Sequence, residues 1–154
     1  LRQAIGDSAP ETIAVRVNLG VVQSLQRQPE AVSVLRHALE QQLSVVGEFH
    51  PRTPSILRNL GNALARNGDF EGAAEVMRRA VRLREQLHGD DTPALASDLL
   101  GLAKVLREQG QIDEAKQVLA RVAQRAQLKP SHQKSLQREQ AALVQAVASP
   151  DAGE

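Results

Sequence analysis

Leucine, alanine and valine recur along this chain at helical intervals, with polar residues filling the positions between them. Ile56, Leu57, Leu60 and Leu64 fall on one face of a helix spanning about residues 52–67. Ala73, Met77 and Ala80, and later Ala115, Leu119 and Val122, keep steps of 4 and 3, which predicts helices over 70–87 and 112–127. The breaks between paired helices, Asn67-Gly68-Asp69 and Gln109-Gly110-Gln111, are short enough to force antiparallel hairpins. Longer turns separate the hairpins: Gly6 to Pro10, Gly47 to Pro51 and Gly89 to Pro93. In each, Gly ends one helix and Pro opens the next. Thr92 is expected to cap its helix, with Ser8 and His50 supplying acceptors at the corresponding turns.

Shifted by 42 residues, the middle of the chain matches itself. Gly47 falls on Gly89, Pro51 on Pro93, Leu57 on Leu99, Leu60 on Leu102 and Leu64 on Leu106. Gly68 then falls on Gly110, Ala73 on Ala115, Val76 on Val118 and Met77 on Leu119. A fixed period of this size marks a stacked repeat array. The first unit is irregular. Asn18-Leu19-Gly20 matches Asn59-Leu60-Gly61 at a shift of 41, whereas Ala31, Leu35 and Ala38 match Ala73, Met77 and Ala80 at 42. One residue is therefore missing at the turn, where Gln28-Pro29 replaces the glycine. Arg16 and Gln23 stand where later units carry Leu57 and Leu64.

The expected architecture is all-α: a right-handed superhelix, or solenoid, of three antiparallel hairpins over about 10–46, 51–88 and 93–127. After Lys129-Pro130, Ser131 is expected to cap a closing helix over 131–148, with Leu136, Leu143, Val144 and Val147 turned inward. Residues 149–154 carry no core positions and are expected to be disordered. The opening stretch, Leu1 to Pro10, reads like Leu83 to Pro93 shortened by one residue. Residues 1–6 are accordingly expected to be the tail of a preceding helix in a longer array.

Composition removes several kinds of chemistry. The sequence has two Phe, no Trp or Tyr, no Cys and a formal net charge of +1. The core must be aliphatic, and no global field recruits nucleic acid or a membrane surface. Without cysteine there are no disulfides, thiolate nucleophiles or Cys-based zinc sites, which fits a reducing, cytoplasmic setting. No apolar run is long enough to span a bilayer. The densest basic stretch, Met77 to Arg84, is expected to be a solvated convex face, partnered by Glu75 and Glu85. Binding nucleic acid would need stacking aromatics beside it, and only Phe49 and Phe70 exist. His37, His50, His88 and His132 lie far apart, so no metal site is expected, and His50 reads as a turn residue. No phosphate loop, dinucleotide fingerprint, zinc-protease or nucleophile-elbow motif occurs. No catalytic residue and no cofactor are expected; the chain does not read as an enzyme.

These residues resemble the tetratricopeptide repeat in its longer variant, found in kinesin light chains and bacterial signalling proteins. The resemblance rests on Leu57 or Leu99, Leu60-Gly61 or Leu102-Ala103, Leu64 or Leu106, Gly68 or Gly110, Phe70 or Ile112, and Ala73 or Ala115. The turn Gly-x-x-His-Pro at Gly47 to Pro51 belongs to the long variant. The resemblance implies a small residue at Gly61, where helices of neighbouring layers cross. It also implies recognition of an extended peptide along a concave face of first helices. In the first unit that face would hold Ala14, Val17, Asn18, Val21 and Ser24. The second unit would contribute Ser55, Arg58, Asn59, Asn62 and Arg66, and the third Ser97, Leu100, Lys104 and Arg107. Asparagine amides suit a peptide backbone because each donates and accepts. The cations imply an acidic segment in the partner, beside an aliphatic one met by Val17 and Val21. A carboxylate clamp of the chaperone type is not expected, since only Asn59 matches it. The resemblance further implies a sensor or docking region of a larger bacterial signalling protein, with Ser/Thr kinases and NTP-dependent switches among such parents. Two alternatives are a scaffold self-associating through the edge at Leu1 to Gly6, and a surface docking onto its own kinase or NTPase domain.

Overall fold

The computed structural model describes residues 9–90, 92–125 and 128–148, and every assigned element among them is a helix. The expectations for residues 1–6, for Ser8 and for 149–154 lie outside the described residues. The described residues divide into two compact units close to His88. The first holds α1 (Pro10–Leu25), α2 (Glu30–Val46), α3 (Thr53–Arg66) and α4 (Phe70–His88). The second holds α5 (Pro93–Glu108), α6 (Ile112–Ala123) and α7 (Pro130–Ala148).

Local chemistry sets the helix ends. Thr92 Oγ1 accepts from the Leu95 amide at 3.2 Å, the expected cap of α5. At the matching turn, His50 Nδ1 accepts from the Arg52 amide at 3.1 Å and lies 3.0 Å from the Gln42 amide nitrogen. His50 is thus a turn residue, as its setting implied. Asp69 Oδ1 accepts from the Gly72 amide at 2.9 Å and caps α4. Ser131 does not cap α7; Pro130 opens that helix, its fixed φ and missing N–H suiting the first position.

In unit 1, α1 packs on α2, α2 on α3 and α1 on α3. The core is aliphatic throughout: Leu35, Leu57 and Met77 are at most 1% exposed, with Ala31, Ala38, Ala73 and Ala80 filling the close approaches. Gly61 is small because of its own hairpin, and not because of a neighbouring layer. A Cβ there would sit 2.6 Å from Met77 Cγ. Gly20 repeats the arrangement, its virtual Cβ 2.6 Å from Leu35 Cγ. Where the first unit replaces a leucine by Arg16, the guanidinium reaches the Gln41 side-chain oxygen on α2.

The basic stretch on α4 departs from a purely solvated face. Arg84 is 4% exposed and donates to Ser55 Oγ at 3.1 Å, while Arg79 pairs with Glu48 at 2.8 Å. Steps of 3 and 4 carry the stripe from Met77 through Ala80 to Arg84 on the inner face of α4, so its stem lies in the core seam and its head finds a hydroxyl.

In unit 2, α7 packs on α5 and α6 through Leu136, Glu139 and Leu143. Val144 and Val147 were expected inward but are 69% and 54% exposed. The 136/139/143 stripe takes the seat on α5; Val144 is turned to the side of that contact, while Val147 lies on the stripe one turn beyond Leu143.

Candidate functional site

The expected peptide-binding residues separate into two groups, one in each unit. In unit 1 the sequence spacing 14, 17, 21, 24 on α1 and 55, 59, 62, 66 on α3 draws each set into one stripe. Ala14, Val17 and Asn18 meet Ser55 and Asn59 around a recess of about 150 Å³, floored by Ile13 and Ile56. Gln42 and Arg52 complete its rim. A second recess, of about 210 Å³, shares Ile13, Gln42 and Arg52 and continues past Val45, Val46 and His50. Sequence reasoning missed Gln42 and Arg52. Gln42 is buried because its amide meets His50, a pairing between a second helix and the following turn that no spacing rule reports.

Charge on these two helices is one-sided. Helix α3 contains no acidic residue and carries Arg58 and Arg66, with Arg52 just before it. Helix α1 carries Arg16 against a single acid, Glu11, in its first turn. Arg66 is committed: its guanidinium donates to the buried Ser24 Oγ at 2.9 Å, tying α3 to α1 at the far end of the stripe. Arg52, by contrast, forms no ion pair among the described residues. Asn18 is exposed, and Val17, Val21, Ser55, Arg58, Asn59 and Asn62 are half-buried. Ser55 holds Arg84, so its hydroxyl is already engaged.

In unit 2 the corresponding stripe faces α7. Ser97 Oγ lies 2.9 Å from His132 Nε2 and donates to the Pro93 carbonyl oxygen. Arg107 pairs with Glu139, itself 4% exposed, at 3.1 Å, and with Glu108 at 2.8 Å. Leu100 is buried, and Lys104 alone of this set is exposed. Among the described residues no group of three His, Asp or Glu could hold a metal ion, and no helix is long and apolar enough to cross a membrane.

Helix hairpins with a small residue at each crossing and unspent amides along the first helices define a repeat-type interaction module. Residues 52–127 match the family model described as tetratricopeptide repeat. Two solved structures of nearly identical TPR-like repeats, assigned to a Podosopora anserina kinesin light chain, superpose with a TM-score of 0.75 at 23% identity. They cover 92% and 91% of this chain, and 71% and 70% of theirs. BtubC (BKLC) from P. vanneervenii gives 0.70 at 16% identity, over 93% of this chain and 66% of that one. No curated protein sequence matches the chain. Residues 52–127 are thus similar to the tetratricopeptide repeat, and the solved structures place the chain in the all-α, helical-solenoid fold class. Repeats of this kind generally mediate contacts between proteins.

Proposed function

We propose that the chain docks an extended peptide on the face formed by α1 and α3, as a recognition segment of a larger, cytoplasmic bacterial signalling protein. The observation that carries this reading is the convergence of Val17, Asn18, Ser55 and Asn59 on one recess beside an unpaired Arg52. The side chains of Asn18, Asn59 and Asn62 have no hydrogen-bond partner among the described residues, so each can donate to and accept from a peptide backbone. Ile13, Val17 and Ile56 offer a seat for one aliphatic side chain, and Val21 extends it. Arg52 and Arg58 favour a neighbouring acidic residue through charge complementarity. Arg66 lies on the α3 stripe, but its present partner is Ser24, so it contributes shape before affinity. Lys104, Ser97 and Arg107 lie on α5 of the other unit, where Ser97 and Arg107 already have partners.

Immobilised protein challenged with a displayed random-peptide library tests the reading. Enriched sequences should place Asp or Glu beside Leu, Ile or Val, and binding should weaken with added salt. The double variant Asn59→Ala, Asn62→Ala should lose capture while keeping its helicity and melting midpoint. Capture by that variant at the wild-type level would remove the α1–α3 face as the site.

A further inference from the structure

Two apolar surfaces stay uncovered among the described residues, one in each unit. On α1, Val15, Leu19 and Val22 are 68%, 50% and 49% exposed, on the side of the helix away from Ile13, Gly20 and Ser24. A helix apolar on opposite sides is one that needs a second neighbour. On unit 2, α6 and α7 border an open groove of about 490 Å³, with Leu119 and Leu143 as its floor and Val144 and Val147 as its wall.

The repeat pattern identifies what fits that groove. Helix α7 aligns with α5 at Pro130 and Pro93, Leu136 and Leu99, and Leu143 and Leu106. It is a first-type helix, and in every hairpin such a helix is filled by a second-type helix with apolar residues at steps of 4 and 3. Ala31/Leu35/Ala38, Ala73/Met77/Ala80 and Ala115/Leu119/Val122 all follow that rule and are at most 2% exposed. No such helix follows α7 among the described residues. The exposed stripe of α1 has the same spacing, with a smaller residue on either side of a central leucine: Val15, Leu19, Val22. Charge agrees as well. Glu11 lies one turn before Val15 on α1, and the groove is bordered by Lys116.

We infer that the α6–α7 groove of one copy receives the Val15/Leu19/Val22 face of α1 from a second copy, so that chains join head to tail. The contact is heterologous: each molecule offers a different surface from each unit, and successive copies can add. With so few anchoring side chains the interface belongs to the small, transient class, with a dissociation constant of roughly 10 µM to 1 mM.

Sedimentation velocity on the whole chain over that concentration range, with Leu19→Glu and Val144→Glu, decides the matter. Both residues are exposed, so far-UV circular dichroism should show the variants as helical as the wild type. The wild type should grow beyond a dimer as concentration rises, and each variant alone should stay monomeric. An equimolar mixture of the two variants should form dimers and nothing larger, because it contains one intact groove and one intact α1 face. A wild type that is monomeric throughout overturns the inference. So does association that Leu19→Glu abolishes but Val144→Glu leaves intact, which would mean that α1 faces pair with each other. The peptide-binding face is not involved, so Asn59→Ala, Asn62→Ala should sediment like the wild type.

Discussion

Replacing Arg27 by glycine should make this protein more stable, although it removes a charged side chain and adds backbone freedom. Three hairpin breaks close with the same hydrogen bond: Gln28 donates to Gln23 O at 2.9 Å, Asp69 to Leu64 O at 3.0 Å and Gln111 to Leu106 O at 2.8 Å. This six-to-one closure requires the residue before the donor to be left-handed. That residue has φ of 85° at Gly68 and 79° at Gly110, but 56° at Arg27. The residue missing from the first unit therefore falls after Arg27, and Arg27, rather than Gln28-Pro29, occupies the glycine position. A side chain in this conformation costs about 1–2 kcal/mol. Glycine's extra freedom in the unfolded chain returns about 0.5–1 kcal/mol of that. Arg27 is exposed and forms no ion pair among the described residues, so little else is lost.

The net expectation for Arg27→Gly is a gain of roughly 0.5–1 kcal/mol, or about 1–4 °C in melting midpoint for a chain of this size. Repeat arrays need not unfold in one step, so the global melt should be paired with hydrogen exchange. Where exchange proceeds by local opening, protection of the Gln28 amide should rise about two- to fivefold. The reverse change, Gly68→Arg, should cost at least as much as Arg27→Gly gains. A lower midpoint for Arg27→Gly, or a neutral Gly68→Arg, would refute the assignment of the closure's left-handed position to Arg27.

Two further substitutions probe packing and the buried ion pair. Gly61→Leu forces a Cβ to within 2.6 Å of Met77 Cγ and adds a branched chain behind it, so urea unfolding should show a loss of about 1–3 kcal/mol or more. Glu139→Gln discharges a carboxylate that is 6% exposed and holds Arg107 at 3.1 Å, which should cost about 1–3 kcal/mol by the same assay. The double variant Arg107→Met, Glu139→Leu should return to within about 1 kcal/mol of the wild type, because an apolar pair fills the site without a desolvated charge.

Periodicity made the hairpins legible because it reports which face of a helix is buried, and burial here is almost wholly aliphatic. Leu57, Met77, Leu99 and Leu119 all sit where their spacing placed them, and Thr92 and His50 act at the turns as their positions implied. The polar contacts were a different matter. Arg84 looked like one of four surface cations, yet a shift of one turn along α4 puts its head against Ser55. Arg107 looked available for a ligand, yet α7 brings Glu139 to it from 32 residues away. Both are pairings between elements, and a pattern confined to one helix holds no information about the side chain opposite. Val144 and Val147 failed for a related reason: hydrophobicity shows that a residue prefers burial, not that a neighbour exists to bury it.

Ser55 and Ser97 show how far repetition carries function. They occupy the same place in successive units, on the same stripe of a first helix, 42 residues apart. Ser55 receives the guanidinium of Arg84 from the second helix of its own hairpin, whereas Ser97 meets His132 from the helix that follows its hairpin. Residue 84 is an arginine long enough to reach back to Ser55; in the sequence the residue 42 positions further on is alanine, which lies outside the described residues. Identity of backbone position therefore fixes the stripe but not its chemistry, which depends on the side chains that neighbouring helices send into it. On α1 and α3 those neighbours leave three asparagines and Arg52 unengaged; on α5 they consume Ser97 and Arg107. A ligand that selects among these stripes thus reads the residues the array has not used on itself.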